Sequence, residues 1–305
     1  MNKSRKIWAY MLITILTLWV DTFYMSGQDK LPQKSHRDEL IRTVNPARGL
    51  KHYMDTISYN VTYPISFVGM RKNEIADSVS LNVLMPILEQ LRLLHIGASC
   101  DTVRIVHIGD SHIRGHIFPR RVGEDLSNVF GSVSYTDMGV NGATCLTFTH
   151  PDRINAIASL KPDFLILSFG TNESHNRAYN SAVHYHQMDE LIQLLRDSLP
   201  NVPMMMTTPP GSYVRYRIRR RKRKYVINPR TSVAVQTICK YAATHNIAVW
   251  DMYHIVGGED WACKNWLAAH LMRPDHIHFL AEGYMLQGDL LYEAIVKAYN
   301  YYVSH

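Results

Sequence analysis

Cysteine is scarce in this chain of 305 residues, which contains four of them. They are Cys100, Cys145, Cys239 and Cys263, and no two form the Cys-x-x-Cys pair that is typical of a zinc ribbon, so we exclude that class. In an oxidising compartment, four cysteines allow one or two disulfides, with three possible full pairings. Buried free thiols are an equally open interpretation.

The chain also lacks internal repeats and the excess of polar residues that accompanies disorder. Apolar residues make up 46% of the sequence, which is an ordinary fraction for a globular protein. A length of 305 residues suits one α/β domain with additions and is short for two enzymatic domains. We therefore expect one principal domain with extra segments.

A short uncharged segment near the N-terminus follows a basic start. Three Lys or Arg among residues 3–6 precede the uncharged residues 7–20, and Asp21 ends the segment. This layout is typical of a secretory signal, so residues 1–27 are predicted to be a signal peptide or an uncleaved membrane anchor. We expect export to the periplasm or cell envelope of a bacterium, with membrane contact only where the segment is retained.

Basic residues outnumber acidic ones, which gives a net charge of +7, and they are concentrated in one segment. Eight of the ten residues from Arg215 to Lys224 are Arg or Lys. In a cytosolic protein this run would indicate nucleic-acid binding, but behind a signal peptide we expect no nucleic-acid partner. Residues 212–230, called the basic insert below, are either a solvated loop or hairpin or a surface that contacts an anionic polymer.

Short β-rich segments alternate with amphipathic stretches after about residue 100. The β-rich segments are residues 103–108, 133–136, 164–169, 202–207 and 247–250. The stretches between them, such as residues 185–199 and 232–245, predict helices. This alternation predicts a three-layer α/β/α sandwich with a central, mostly parallel five-stranded sheet. The functional site is expected at the carboxyl ends of its strands.

The segments before the first strand are predicted to be additions to this domain. Residues 28–79 mix polar residues with scattered prolines and are predicted to be an N-terminal extension packed on the core. Residues 80–305 then form the principal domain, which contains the basic insert. Leucines at helical spacing predict a helix over residues 80–94, with Pro86 near the start of its regular part.

Two segments carry the residue types of a serine nucleophile and its base. The first predicted strand ends in Gly-Asp-Ser-His at residues 109–112, which places Ser111 in a tight turn. Near the C-terminus, Asp275 precedes His278 by three residues. His278 can take the Ser111 proton, and Asp275 can accept from the other ring nitrogen, which stabilises the imidazolium. Taken alone, these segments also fit an N-cap serine and a metal-binding or surface turn.

Two further segments offer groups that could stabilise an oxyanion. Residues 139–144 contain Gly139 and Gly142, and glycine permits close approach of backbone to a ligand. Gly-Thr-Asn-Glu at residues 170–173 places the amide of Asn172 at the end of a strand, where it can donate a hydrogen bond. Taken alone, each segment also fits a turn or a helix cap.

Together the four segments resemble the SGNH (GDSL-like) hydrolase superfamily, whose four sequence blocks supply Ser, Gly, Asn and His. The resemblance covers about residues 102–290 and implies a flavodoxin-like fold and a serine esterase that needs no metal or organic cofactor. It implies that Ser111 is the nucleophile, His278 the base and Asp275 the residue that orients the base.

The same resemblance assigns an oxyanion hole. Its donors are the backbone N–H groups of Ser111 and Gly142 and the side chain of Asn172. Gly142 is preferred to Gly139 because Gly-Ala-Thr matches the Gly-x-Thr pattern of the superfamily more closely, and Gly139 stays open as the alternative.

The first block departs from the common pattern, because His112 stands where Leu is frequent. Gly-Asp-Ser-His resembles the branch that contains peptidoglycan O-acetylesterases and related bacterial carbohydrate esterases. This branch implies hydrolysis of O-acetyl esters on peptidoglycan or another bacterial surface glycan. The candidate substrate-binding residues are His112, Gly257, Gly258, Trp261 and Trp266, and the two tryptophans fit a core position equally well.

Several other classes of function compete with this interpretation. An α/β-hydrolase needs Gly-x-Ser-x-Gly, and Ile113 stands at the position of its last glycine. An O-acetyltransferase could use the same triad. A metal-dependent phosphoesterase could bind two metal ions through Asp, Asn and His side chains, and chelator sensitivity would identify it. Its candidate ligands are Asp110, His112, Asn172, His276 and His278. A non-catalytic glycan-binding protein is the fourth interpretation.

Overall fold

The structure is a computed structural model that describes residues 55–75, 78–219 and 222–305. The predicted signal segment, residues 1–27, lies outside the described residues, as does the predicted extension before residue 55. In the described part of that extension, Ile57, Phe67 and Ile75 are buried in the larger hydrophobic core.

A five-stranded parallel sheet lies at the centre of the described chain, in the order β2-β1-β3-β4-β7. The described residues form the strands β1 (Val103–Gly109), β2 (Val133–Gly139), β3 (Phe164–Ser168), β4 (Met204–Thr207), β5 (Tyr213–Arg219), β6 (Lys222–Ile227) and β7 (Ala248–Trp250). The strands β5 and β6 form a separate antiparallel hairpin. The predicted α/β fold class with five central strands is confirmed.

Helices connect and cover the strands. In the described residues they are α1 (Ser78–His95), α2 (Ser111–Arg114), α3 (Ile117–Phe130), α4 (Pro151–Ser159), α5 (Thr171–His175), α6 (Ser181–Ser198), α7 (Pro229–Thr244), α8 (Met252–Ile255), α9 (Gly258–Ala268) and α10 (Ala281–Ser304). Among them, none combines the length and apolar character that crossing a membrane requires.

Two apolar clusters cover the two faces of the sheet, because successive side chains of a strand point to opposite faces. On β1, Ile105 belongs to the cluster with α1, α3 and α10, and Val106 belongs to the cluster with α4 and α6. Both side chains are 1% exposed, which accounts for the nearly continuous apolar runs of the central strands.

The helix α1 differs from the prediction at its start. It begins at Ser78, so Pro86 lies inside the helix rather than near its start. Proline removes one backbone hydrogen bond from a helix interior. On the same helix, Leu84, Leu88 and Leu91 are at most 2% exposed. We infer that burial of this leucine face outweighs the missing bond.

The basic insert contains the hairpin of β5 and β6, which agrees with the hairpin interpretation of the sequence. It follows β4, so it leaves the sheet at the carboxyl end of a strand. Tyr213 at the start of β5 donates its backbone N–H to the carbonyl of His276 at 3.0 Å. The hairpin is therefore joined to the loop that contains the predicted Asp275 and His278.

The four cysteines all lie in the described part of the chain, and no disulfide joins any two of them there. Cys145 and Cys263 are buried, and Cys100 is exposed. Burial raises the pKa of the Cys263 thiol to about 12 and raises that of Cys145 well above its usual value. Of the options that the sequence leaves open, the structure therefore has thiols rather than disulfides.

Candidate active site

Ser111 is the first residue of α2, directly after β1. The chain can turn there because Gly109 carries no side chain. A Cβ on Gly109 would lie 2.5 Å from the side chain of Ile113 and 2.7 Å from the carbonyl oxygen of Ser168 on the neighbouring strand. The turn thus brings α2 close to the top of the sheet and places Ser111 at the carboxyl end of β1.

Ser111, His278 and Asp275 form a continuous hydrogen-bonded chain. The hydroxyl oxygen of Ser111 lies 2.9 Å from Nε2 of His278. The other ring nitrogen, Nδ1, lies 2.9 Å from Oδ2 of Asp275. A proton on Nδ1 leaves Nε2 free to accept from the serine. This is the geometry that a serine nucleophile and its base require.

The loop of Asp275 is arranged around its carboxylate. Oδ1 accepts hydrogen bonds from the backbone N–H groups of Ile277 and His278, both at 2.9 Å. Partial burial by itself would raise the pKa of Asp275, but these two bonds and the contact with the imidazole lower it below its usual value. Asp275 is therefore ionised at neutral pH and can stabilise a protonated His278.

The predicted oxyanion-hole residues line one cleft together with the triad serine. This cleft, called the serine cleft below, has a volume of about 640 Å³, and Ser111, Gly142, Asn172 and His278 are among its lining residues. Gly142 has a φ of +74° and an open space where a Cβ would lie. A Cβ on Gly139 would lie 2.0 Å from the backbone nitrogen of Arg114. Gly139 is therefore packed beneath α2, whereas Gly142 faces the cleft.

The amide of Asn172 is held by groups from two neighbouring loops. Its Nδ2 donates to the carbonyl of Ala143 at 2.9 Å and lies 3.4 Å from Oδ2 of Asp110. Burial raises the pKa of Asp110 to about 7, although a hydrogen bond from the backbone N–H of His112 opposes this rise. The contact with Asp110 is long and therefore weak, so the amide hydrogen that faces Asp110 is the one that Asn172 can donate to a reacting oxygen instead.

Glu173 connects the two loops that carry Gly142 and Asn172, a role that the sequence analysis did not assign. Its buried carboxylate accepts the backbone N–H of Gly170 and that of Cys145, each at 2.9 Å. One side chain thus sets the spacing of two predicted oxyanion donors. The available sequence signal was an acidic residue directly after Asn172 at a strand end.

Glu173→Gln is expected to lower kcat about tenfold with little change in KM. The amide replaces one acceptor oxygen by a donor, so one backbone N–H loses its partner and the two loops separate slightly. The measurement is steady-state hydrolysis of a small acetyl ester. Glu190→Gln, at an exposed position of α6, is the matched control and should keep the wild-type kcat. An unchanged kcat in Glu173→Gln would contradict the assigned role.

Two of the candidate substrate-binding residues are buried, which corrects the prediction for them. Trp266 is fully buried, donates its Nε1–H to the carbonyl of Pro210 and packs against Phe279. His112 is 5% exposed, and its Nδ1 lies 3.1 Å from the Tyr284 hydroxyl. Burial lowers the pKa of His112 to about 3. Trp266 is a core residue, and the neutral His112 packs behind His278 at a ring distance of 5.4 Å.

Gly257, Gly258 and Trp261 lie at the start of α9 and do not line the serine cleft. Gly257 has a φ of +115°, and a Cβ there would lie 2.6 Å from Cβ of Trp261. The Trp261 ring packs on Gly69, and the Lys264 amine lies 4.8 Å from its centroid. These two glycines therefore serve the turn into the helix. For all three residues, substrate contact stays a prediction.

Trp266→Ala is expected to lower the free energy of unfolding by about 3–5 kcal/mol, because it leaves a large cavity and an unpaired carbonyl in the core. Trp261 is 42% exposed, so Trp261→Ala should lower the free energy of unfolding by less than about half of that amount. Urea denaturation of both variants checks this contrast. Equal losses would contradict the placement of the two rings.

Two histidines of the metal-dependent alternative, His112 and His276, are packed against different neighbours. The ring of His112 contacts the Tyr284 hydroxyl, as described above. The ring of His276 lies 4.1 Å from that of Tyr225 and 5.4 Å from that of Tyr213, both on the hairpin. His276 therefore holds the hairpin against the loop of Asp275 and His278.

Comparison with known proteins agrees with the fold and with the sequence blocks. The sequence model of the GDSL-like lipase/acylhydrolase family matches residues 107–286. Among solved structures, one described as a peptidoglycan O-acetylesterase in action has a TM-score of 0.62 and 17% identity, and the match covers 70% of this chain and 96% of that one.

Two further solved structures are similar at lower scores. A lipase/acylhydrolase from Enterococcus faecalis has 22% identity and a TM-score of 0.48, with 64% of this chain and 96% of that chain covered. The acetyl xylan esterase AlAXEase has 17% identity and a TM-score of 0.49, with 63% of this chain and 100% of that chain covered. No curated protein sequence matches the chain significantly.

Proposed function

This chain belongs to the GDSL-like lipase/acylhydrolase family and is a serine ester hydrolase, and from that premise we propose that it removes O-acetyl groups from a carbohydrate polymer through an acyl-enzyme on Ser111. The observation that carries the proposal is the hydrogen-bonded chain from Ser111 through His278 to Asp275. It supplies a nucleophile, a base and a stabilised imidazolium without any further group.

The reaction follows from this geometry in two steps. In the first, Nε2 of His278 takes the hydroxyl proton while Ser111 Oγ attacks the carbonyl carbon, and the alcohol leaves with the proton from His278. In the second, His278 takes a proton from a water molecule as that water attacks the carbonyl carbon of the acyl-enzyme. His278 then returns the proton to Ser111 Oγ while the bond between Oγ and the acetyl group breaks, and the acetic acid that is released ionises to acetate. In both steps the N–H groups of Ser111 and Gly142 and the Asn172 amide donate to the oxyanion, and one such donor contributes about 3–4 kcal/mol.

For the substrate, we propose O-acetyl esters of peptidoglycan or another bacterial surface glycan. The structure with the TM-score of 0.62 is described as a peptidoglycan O-acetylesterase, which motivates this choice of polymer. The serine cleft is open to solvent at Asn141 and Gly142, which is compatible with access of a polymer. We keep the basic insert as the proposed contact for an anionic polymer.

We also propose that the protein is exported, on the basis of the basic and uncharged segments within residues 1–27. Cell fractionation with N-terminal sequencing of the mature protein tests this. A mature chain that begins at Met1 in the cytoplasm would contradict export.

The proposed activity is tested by acetate release from O-acetylated peptidoglycan and from a small acetyl ester, with and without EDTA. We expect release from both substrates, and we expect it to survive EDTA. Release that EDTA abolishes would contradict a serine esterase. Release from the small ester alone would contradict the proposed polymer while leaving the esterase assignment intact.

A further inference from the structure

A second cleft adjoins the serine cleft on the side of the hairpin. It has a volume of about 890 Å³, and it is called the hairpin cleft below. His175 and Ile277 line both clefts, so the two meet at these side chains. Asp275 of the triad also lines the hairpin cleft. A chain bound across both clefts would therefore pass directly beside the predicted nucleophile.

Arginines line both of these adjoining clefts. Arg177, Arg215 and Arg230 line the hairpin cleft, and Arg114 and Arg273 line the serine cleft. They come from five separate parts of the chain. Only one of the five, Arg215, belongs to the basic run that the sequence made conspicuous, so the fold collects more positive charge here than the run by itself suggests.

The acidic side chain that lines the hairpin cleft does not neutralise the positive charge of its arginines. Asp275 is the acidic residue among its lining residues, and its carboxylate is engaged with His278. No carboxylate of the described residues forms an ion pair with Arg177, Arg215 or Arg230. A cleft lined by charges of one sign concentrates its field on a ligand of the opposite sign.

Two features make this cleft a preformed site rather than a loose basic surface. Arg230 donates its Nε–H to the carbonyl of Ser174 at 2.7 Å, which fixes the direction of its guanidinium. The Tyr225 ring packs against that of His276 with centroids 4.1 Å apart, which holds the hairpin on the triad loop. Tyr216 also lines the cleft and is 49% exposed, so part of its side chain is accessible to a ligand.

We propose that the hairpin cleft binds a carboxylate-bearing sugar residue next to the sugar whose acetyl ester reaches Ser111. The natural substrate would then be an O-acetylated acidic polysaccharide. Guanidinium groups match carboxylates with paired hydrogen bonds, and tyrosine offers an apolar ring to a sugar. This assignment names the substrate class of the proposed esterase and rests on that proposed function.

The test compares a galacturonate oligomer with its carboxyl-reduced counterpart, by calorimetric binding to the full-length protein. We expect the acidic oligomer to bind at least about tenfold more tightly, and this preference to weaken as salt rises. The double variant Arg177→Gln with Arg215→Gln should weaken acidic binding about tenfold to 100-fold. Lys240→Gln removes a charge at an exposed position outside both clefts and is the control.

Equal affinity for the two oligomers, or a double variant that binds as the wild type does, would overturn the proposal. So would equally tight binding of a glycerol phosphate polymer, which would assign the cleft to phosphate instead. Because binding is measured without turnover, these outcomes are distinct from a failure of the esterase assignment. That failure would appear as an absence of acetate release from the small ester.

Discussion

The Ser111→Ala variant is expected to hydrolyse a small acetyl ester with a kcat about 10⁴-fold or more below that of the wild type. The hydroxyl that lies 2.9 Å from Nε2 of His278 is then missing, so no acyl-enzyme can form. Only the slower, direct attack of water assisted by the oxyanion donors would remain, as in other enzymes that have lost their nucleophile.

Steady-state kinetics of the purified variant provides the measurement, with circular dichroism to show that it is folded. Ser159→Ala, at an exposed position of α4, is the matched control and should retain the wild-type kcat. A Ser111→Ala variant that keeps a tenth or more of the activity would contradict the account. Activity that survives this change and is removed by EDTA would instead support the metal-dependent alternative.

Asn172→Ala is expected to lower kcat by about 10²-fold to 10³-fold, with a smaller change in KM. In the proposed mechanism the side chain donates to the oxyanion, and this bond is strongest in the tetrahedral state, so its loss affects the transition state more than the bound substrate. Its position is fixed by the carbonyl of Ala143, and alanine also leaves that carbonyl without the amide.

The control for this variant is Asn128→Ala, an exposed position on α3 that should leave kcat unchanged. A loss confined to KM, or a loss in kcat of less than about threefold, would contradict the oxyanion role. The double variant with Glu173→Gln adds a second check. Because Glu173 acts by placing the loop of Asn172, the two effects should combine to less than their product.

The sequence was sufficient to predict the sheet and the residues at its edge. Buried parallel strands leave nearly continuous apolar runs, and their carboxyl ends meet at one edge, so motifs that follow separate strands come together. Ser111, Gly142 and Asn172 lie in one cleft for this reason. The order of the strands, with β1 between β2 and β3, required the structure.

The positions of residues outside the motifs could not be predicted from sequence patterns. Trp261 and Trp266 look alike in the sequence, and only the packing of α9 decides that one is half-exposed and the other fully buried. Arg177 and Arg230 lie outside the conspicuous basic run, and the fold brings them beside Arg215. Glu173 acts through two backbone N–H groups, one of them 28 residues away, and no spacing rule predicts such a partner.

The central claim is that Ser111 is the nucleophile of this esterase. The most direct test is to incubate the protein with a p-nitrophenyl alkylphosphonate and to locate the adduct by peptide mass spectrometry. Ser111 Oγ should attack phosphorus and release nitrophenolate, which gives one adduct per chain on Ser111. The adduct should form at the same rate as activity is lost. In His278→Gln, adduct formation should be much slower. An adduct on another residue, or full esterase activity in protein labelled at Ser111, would contradict the account.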